Sequence, residues 1–164
     1  MSKKYELTNE TKTLADGTVL HRIRALRDIT RFVVKAGELG GFVEEENNLS
    51  QDGKAWVFDN AEVSGNAKVY GNAWVSGDAK VSGNAKVHGD SDYMVIKNTW
   101  SSGRWFTYTS SNKKWAVGCF YGTGEELIKK AYADSELSGR CYEAIVRSVE
   151  TIEAAKAEAK GGAE

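Results

Sequence analysis

Five consecutive hexapeptides of the form Ala-x-Val-x-Gly-Asn/Asp fill residues 61–90, from Ala61-Glu-Val63-Ser-Gly65-Asn66 to Ala85-Lys-Val87-His-Gly89-Asp90. Self-similarity at a short fixed period predicts a repeat architecture, in which each unit buries its apolar face only by stacking on its neighbours. Within a unit, Ala and Val stand two apart, so they share one side of an extended strand while the residue between them points the other way. That outward residue is Glu62, Lys68, Trp74, Lys80 or Lys86. Val is stiff and strand-favouring, which suits an inward ladder. Gly followed by Asn or Asp ends each strand in a tight turn. The chain has no proline, so its turns are made by residues that tolerate positive φ. The phase extends upstream, with Val33 and Leu39 at the Val position and Gly41 and Gly53 at the Gly position. Glu45 and Gln51 break it, which predicts a degenerate first coil.

The pairs Val57/Ala61, Val63/Ala67, Val69/Ala73, Val75/Ala79, Val81/Ala85 and Val87/Ser91 place a small residue four positions after an aliphatic one. In this the chain resembles the hexapeptide-repeat proteins, over roughly a third of its length. The resemblance implies a short left-handed parallel β-helix with three-sided coils of about 18 residues. On that geometry Trp56 and Trp74 stack on adjacent coils, about 4.8 Å apart. Lys68 and Lys86 pair on a second side, Tyr70 and His88 pair near the next corner, and Glu62 opposes Lys80 on the third side. Two stacked Trp are rarely left in water. They pack under the terminal segments, form a subunit interface, or make a ligand platform. The family is commonly homotrimeric, so the resemblance implies a trimer, with Trp56, Trp74, Lys68 and Lys86 as candidate interface residues.

The flanks read differently. Residues 1–32 form an expected β-hairpin cap, with strand-like Tyr5–Leu7 and Thr18–Ile23 around the turn signal Ala15-Asp-Gly17. The repeat occupies 33–92. Residues 93–164 form an expected β/α recognition unit: three aromatic β-like runs (Tyr93–Ile96, Trp105–Tyr108 and Trp115–Tyr121), then two helices. Thr123 and Glu126 make a capping box for the first helix, at about 124–133. Tyr142, Ile145, Val149 and Ile152 stripe the second, from about Ser138 to Lys156, and a solvated tail follows. The fold class is therefore mainly β with an α+β C-terminal part. Both terminal units are placed to cover the unpaired ends of the coil.

Composition narrows function without naming it. The 164 residues carry a net charge of −1, with 41% hydrophobic and 27% charged residues, which gives no bulk attraction to duplex nucleic acid or an anionic membrane. No apolar run is long enough for a membrane span, and the start, Met-Ser-Lys-Lys-Tyr, lacks the apolar stretch of a signal peptide. Cys119 and Cys141 read as reduced thiols. These features predict a cytoplasmic protein with no cofactor.

Many hexapeptide-repeat proteins are acyltransferases with a histidine base. Here only His21 and His88 occur, and His88 sits inside the repeat with no loop insertion beside it. No zinc-spaced cluster, phosphate loop or nucleophile elbow is present. Gly122-Thr-Gly124 before a helix offers an anion a weak backbone site or is a plain turn. The stronger binding signal is basic and aromatic. Arg22, Arg24, Arg27 and Arg31 crowd the opening segment. Arg104, Trp105, Tyr108, Lys113, Lys114 and Trp115 crowd the C-terminal runs, a mixture suited to phosphate and base recognition.

A second resemblance runs through Val34-Lys-Ala-Gly-Glu-Leu-Gly-Gly-Phe-Val43, with Asn48-Leu-Ser and Ala55-Trp-Val, and through Gly118-Cys-Phe-Tyr-Gly-Thr-Gly-Glu-Glu-Leu-Ile-Lys-Lys-Ala-Tyr132. These segments look like those of small phage and prophage proteins. That implies a non-enzymatic binding protein in the cytoplasm of a bacterial host, acting in counter-defence. It would sequester a nucleotide-type signal or mask a host defence protein. An acyltransferase-like enzyme and a phage structural or assembly component are the alternatives.

Overall fold

The computed structural model describes residues 2–29 and 34–162; Arg31 and Val33 lie outside them. Two antiparallel strands, β1 (Tyr5–Thr13) and β2 (Val19–Ala25), open the chain, joined by the expected Ala15-Asp-Gly17 turn. Strand β3 (Leu39–Val43) pairs antiparallel with β2. Six two-residue strands follow in the repeat: β4 (Trp56–Val57), β5 (Glu62–Val63), β6 (Lys68–Val69), β7 (Trp74–Val75), β8 (Lys80–Val81) and β9 (Lys86–Val87). A four-stranded antiparallel meander comes next: β10 (Tyr93–Lys97), β11 (Trp105–Thr109), β12 (Lys114–Val117) and β13 (Phe120–Gly122). Helices α1 (Gly124–Asp134) and α2 (Glu136–Gly162) end the chain.

The 18-residue offset organises the repeat into parallel pairs. Trp56 lies opposite Trp74, Glu62 opposite Lys80, and Lys68 opposite Lys86. The Ala and Val positions are buried throughout. The corner glycines Gly65 and Gly71 turn with φ of 62° and 67°, a region that L side chains avoid.

These pairs do not extend into the expected left-handed parallel β-helix. Two of the parallel sheets contain two strands each, and among the described residues none of the sheets closes. The third parallel pair, β5 with β8, is absorbed into a mixed five-stranded sheet, β1-β2-β3-β5-β8, where β3 takes the other edge of β5. The architecture is thus several small open sheets with two C-terminal helices. Repeat stacking needs a neighbour on each exposed face to propagate, and here other elements take those faces. On one side Lys4 Nζ donates to Ala55 O at 2.7 Å and Tyr5 Oη to Leu49 O at 2.7 Å. On the other, Lys80 N donates to Thr107 Oγ1 at 2.9 Å and Lys86 N to Ser111 Oγ at 2.7 Å. The break at Gln51 has a use: its side-chain amide accepts from Lys4 N at 2.7 Å and donates to Tyr5 O at 3.2 Å.

The C-terminal unit has its own core, in which Phe106, Tyr108, Trp115 and Val117 meet Leu127, Ile128, Tyr142, Val146 and Val149. Thr123 caps α1, its hydroxyl accepting from Glu126 N at 3.2 Å. The expected run from Trp115 to Tyr121 is instead a hairpin, broken at Gly118, where φ is 55°. The expected solvated tail is helical as far as Gly162. Ile152 belongs to the predicted stripe but is 46% exposed; on that turn Glu153 faces the meander instead, accepting from Ser110 Oγ at 3.1 Å. No helix among the described residues is long and apolar enough to cross a membrane.

Candidate functional site

The structure separates the candidate binding residues sharply. Tyr108 and Trp115 are 6% and 2% exposed, with ring centroids 5.0 Å apart in the C-terminal core. They hold the sheet on the helices and present no face to a ligand, which corrects their reading as binding residues. Arg22 is committed internally: its guanidinium lies 4.3 Å from the Phe42 ring centroid, and Nη1 donates to Gly40 O at 2.7 Å. Its Nε also lies 3.0 Å from Glu10 Oε1. Arg24 pairs with Glu6 on the hairpin surface. Lys113 sits exposed in the β11–β12 turn with φ of 54°. The charge of Lys114 reaches Glu126 at the start of α1. The α1 N-terminus is already filled, since Glu126 Oε1 accepts from Thr123 N at 3.2 Å.

Arg104 and Trp105 remain, and they meet residues from the other end of the chain. Period-2 alternation turns Phe106 and Tyr108 into the core and Trp105 and Thr107 to the opposite face. Trp105 is 38% exposed, with Lys97 Nζ 5.3 Å from its ring centroid. Arg104 Nη1 lies so near Gly118 that a Cβ there would come within 2.7 Å of it. Any larger residue at position 118 would displace the guanidinium.

These two residues line a cleft of about 290 Å³ with Lys12, Asn60, Glu62, Asp78, Lys80 and Gly118. Its floor is the outward row of β5 and β8. Glu62, 7% exposed by side chain, accepts from Lys12 Nζ at 2.6 Å, so β1 reaches across the sheet to neutralise it. A second lobe of about 400 Å³ shares Glu62, Lys80 and Gly118 and runs between the β1–β2 turn and the β12–β13 turn. Leu14, Ala116, Phe120 and Tyr121 give it apolar walls, and Asp16, Ser64, Ser82 and the exposed Cys119 give it a polar rim. Tyr121 Oη donates to Ser82 O at 3.3 Å and accepts from Asn112 Nδ2 at 3.0 Å. Burial pushes its pKa above the ordinary phenol value, so it stays a neutral donor.

Lys12, Asp16, Asn60 and Asp78 were not among the sequence candidates. Thr11-Lys-Thr13 continues a strand-like alternation that would have lengthened β1 as far as Lys12. Nothing local joins position 12 to position 104. The predicted Glu62–Lys80 opposition is present as a register pair, but the ion pair to Glu62 comes from Lys12.

The interface candidates also divide. Trp56 is 1% exposed, edge-on to Tyr5 at 6.3 Å, so it packs under the terminal hairpin and offers nothing to a second subunit. Trp74 is 43% exposed, tilted against Phe58 at 5.0 Å. Lys68 and Lys86 are exposed and in register. His88 is exposed beside Tyr70, with rings 5.0 Å apart, and His21 Nδ1 lies 3.2 Å from Thr8 O. Among the described residues no group of His, Cys, Asp and Glu is placed to hold a metal. No protein-family model matches the chain, and no curated protein is similar to it.

Proposed function

We propose that this protein is a non-enzymatic, phage-type binding protein that sequesters a nucleotide-type small molecule, with counter-defence as its role. The observation that supports the reading is the convergence of Lys80 and Arg104 with the half-exposed Trp105 in one cleft, beside a second lobe with apolar walls. Cations suit phosphate, an aromatic face suits a base, and a concave site of a few hundred Å³ suits a small ligand better than a flat protein partner. The reading is non-enzymatic because neither His21 nor His88 lines either lobe. The phage context rests on the resemblance of Val34–Val43 and Gly118–Tyr132. The trimer implied by the repeat resemblance also stays a proposal, carried now by Trp74.

The test is mass spectrometry of ligand released from protein purified out of its host, followed by titration of a nucleotide panel into wild type, Arg104→Ala and Trp105→Ala. We expect a nucleotide to be released, and both variants to bind it about ten-fold or more weakly, as loss of a charged contact or a stacking face predicts. Added salt should weaken wild-type binding. The nucleotide reading fails if none is released and none binds at millimolar concentration. Masking of a host protein is the second reading, favoured if cleft variants lose a protein partner instead.

A further inference from the structure

We infer that the cleft selects nucleotides carrying a single phosphodiester charge over nucleoside triphosphates. This rests on the nucleotide reading above and adds the ligand's charge state. The charged lobe holds Lys12, Lys80 and Arg104 against Glu62 and Asp78, three cations and two carboxylates, a formal surplus of one positive charge. Lys12 is already spent on the nearly buried Glu62 at 2.6 Å. That leaves Lys80 and Arg104 to face a ligand, with Asp78 beside them. One phosphodiester matches that surplus.

A triphosphate brings about four negative charges. Even with Lys97 over the Trp105 ring, at least two of them would have no counter-charge here, and the neighbouring carboxylates would repel them. Misplaced like charge of this kind is how a site rejects a competitor. The second lobe offers the extra phosphates no refuge, because its own ionisable groups are Asp16, Glu62, Lys80 and the thiol and phenol of Cys119 and Tyr121. Asp16 is held below the usual carboxylate range by hydrogen bonds from Thr18, so it is ionised at neutral pH. The apolar walls of Leu14, Ala116 and Phe120 and the carboxylate of Asp16 at the rim likewise disfavour added phosphates.

Calorimetric titration of the full chain with cyclic AMP, cyclic GMP, ATP and GTP, at one salt concentration and neutral pH, tests this. We expect a cyclic nucleotide to bind at least about ten-fold tighter than the matching triphosphate, equivalent to ~1.4 kcal/mol. Asp78→Asn removes one carboxylate from the lobe and should shift the ratio toward ATP by several-fold. That variant should fold, because Asn66, Asn72 and Asn84 occupy the same position in neighbouring repeats. Equal or tighter ATP binding overturns the charge selection and leaves the nucleotide reading standing. A preference for cyclic AMP that Asp78→Asn does not move also overturns it. Absence of binding by all four probes at millimolar concentration overturns both readings together.

Discussion

Lys4 is a lysine with 0% exposure at one end of the repeat core. Its ammonium donates to Ala55 O at 2.7 Å and Asp52 O at 3.3 Å, bonds that a hydrocarbon side chain could not make. Burial, then the nearby charge of Arg27, lowers its pKa from 10.5 to about 8. The folded state therefore binds fewer protons than the unfolded chain between pH 8 and 10.5, and stability rises with pH across that window. The deficit is fully present below pH 8. We expect the wild type to gain about 1 kcal/mol between pH 8 and pH 9 in urea denaturation. Lys4→Met should lose that slope, whatever its absolute stability. A wild-type profile that is flat or falling over the same range would show that Lys4 is not buried as a charge. The measurement should stop at pH 9, because Tyr5, Tyr93, Tyr108, Tyr121 and Tyr132 are all raised above the ordinary phenol value, and ionisation of the unfolded chain's phenols, half complete at about pH 10, acts in the opposite direction.

At the scale of the element, α1 is the piece whose sequence signal and geometry agree most closely. Thr123 and Glu126 exchange side-chain and backbone bonds at its first turn. Thr123→Ala should cost about 1 kcal/mol, read as a lower denaturation midpoint at unchanged m-value. No change would mean that the cap is solvated and contributes nothing. Capping boxes, helix stripes and the two-residue Ala/Val alternation were legible because the interactions behind them are local. The β12–β13 hairpin was not, because the residues from Trp115 to Tyr121 read equally as one strand. Only Gly118 marks the break, and its left-handed turn shows in the backbone alone. Basic-aromatic composition pointed to Tyr108 and Trp115 as readily as to Trp105. Strand alternation separates them once the register of β11 is known. The cleft itself was the least legible feature, since Lys12, Asp78 and Arg104 come from three different elements and no spacing rule joins them. The repeat period supplied the correct 18-residue pairs. It could not show that β3 would pair with β5 and the meander would cover β8, which ends the stacking after two repeat layers.

For the whole molecule, assembly is the open property that one surface residue can test. Trp74, like Tyr70, is a large side chain of the repeat that stays exposed, at 43%, while its register partner Trp56 is buried within the chain. Lys68 and Lys86, stacked in register, would repel the same ladder on another copy. If the proposed trimer forms through Trp74, Trp74→Ala should lower the mass seen by light scattering at micromolar concentration, with the melting temperature little changed. A wild type already monomeric at that concentration ends the trimer proposal. The cleft also has a temporal consequence. Its walls come from Lys12 and Asp16 near the start of the chain and from Arg104 to Tyr121 more than eighty residues later, with the repeat as the floor between them. On the ribosome, the hairpin and the repeat emerge well before the meander does. A nascent chain that has reached Val87 already carries Glu62 and Lys80 but still lacks Arg104 and Trp105. If the cleft takes the proposed nucleotide, capture begins only late in synthesis, and a message truncated after the repeat yields a product without the cleft's second wall.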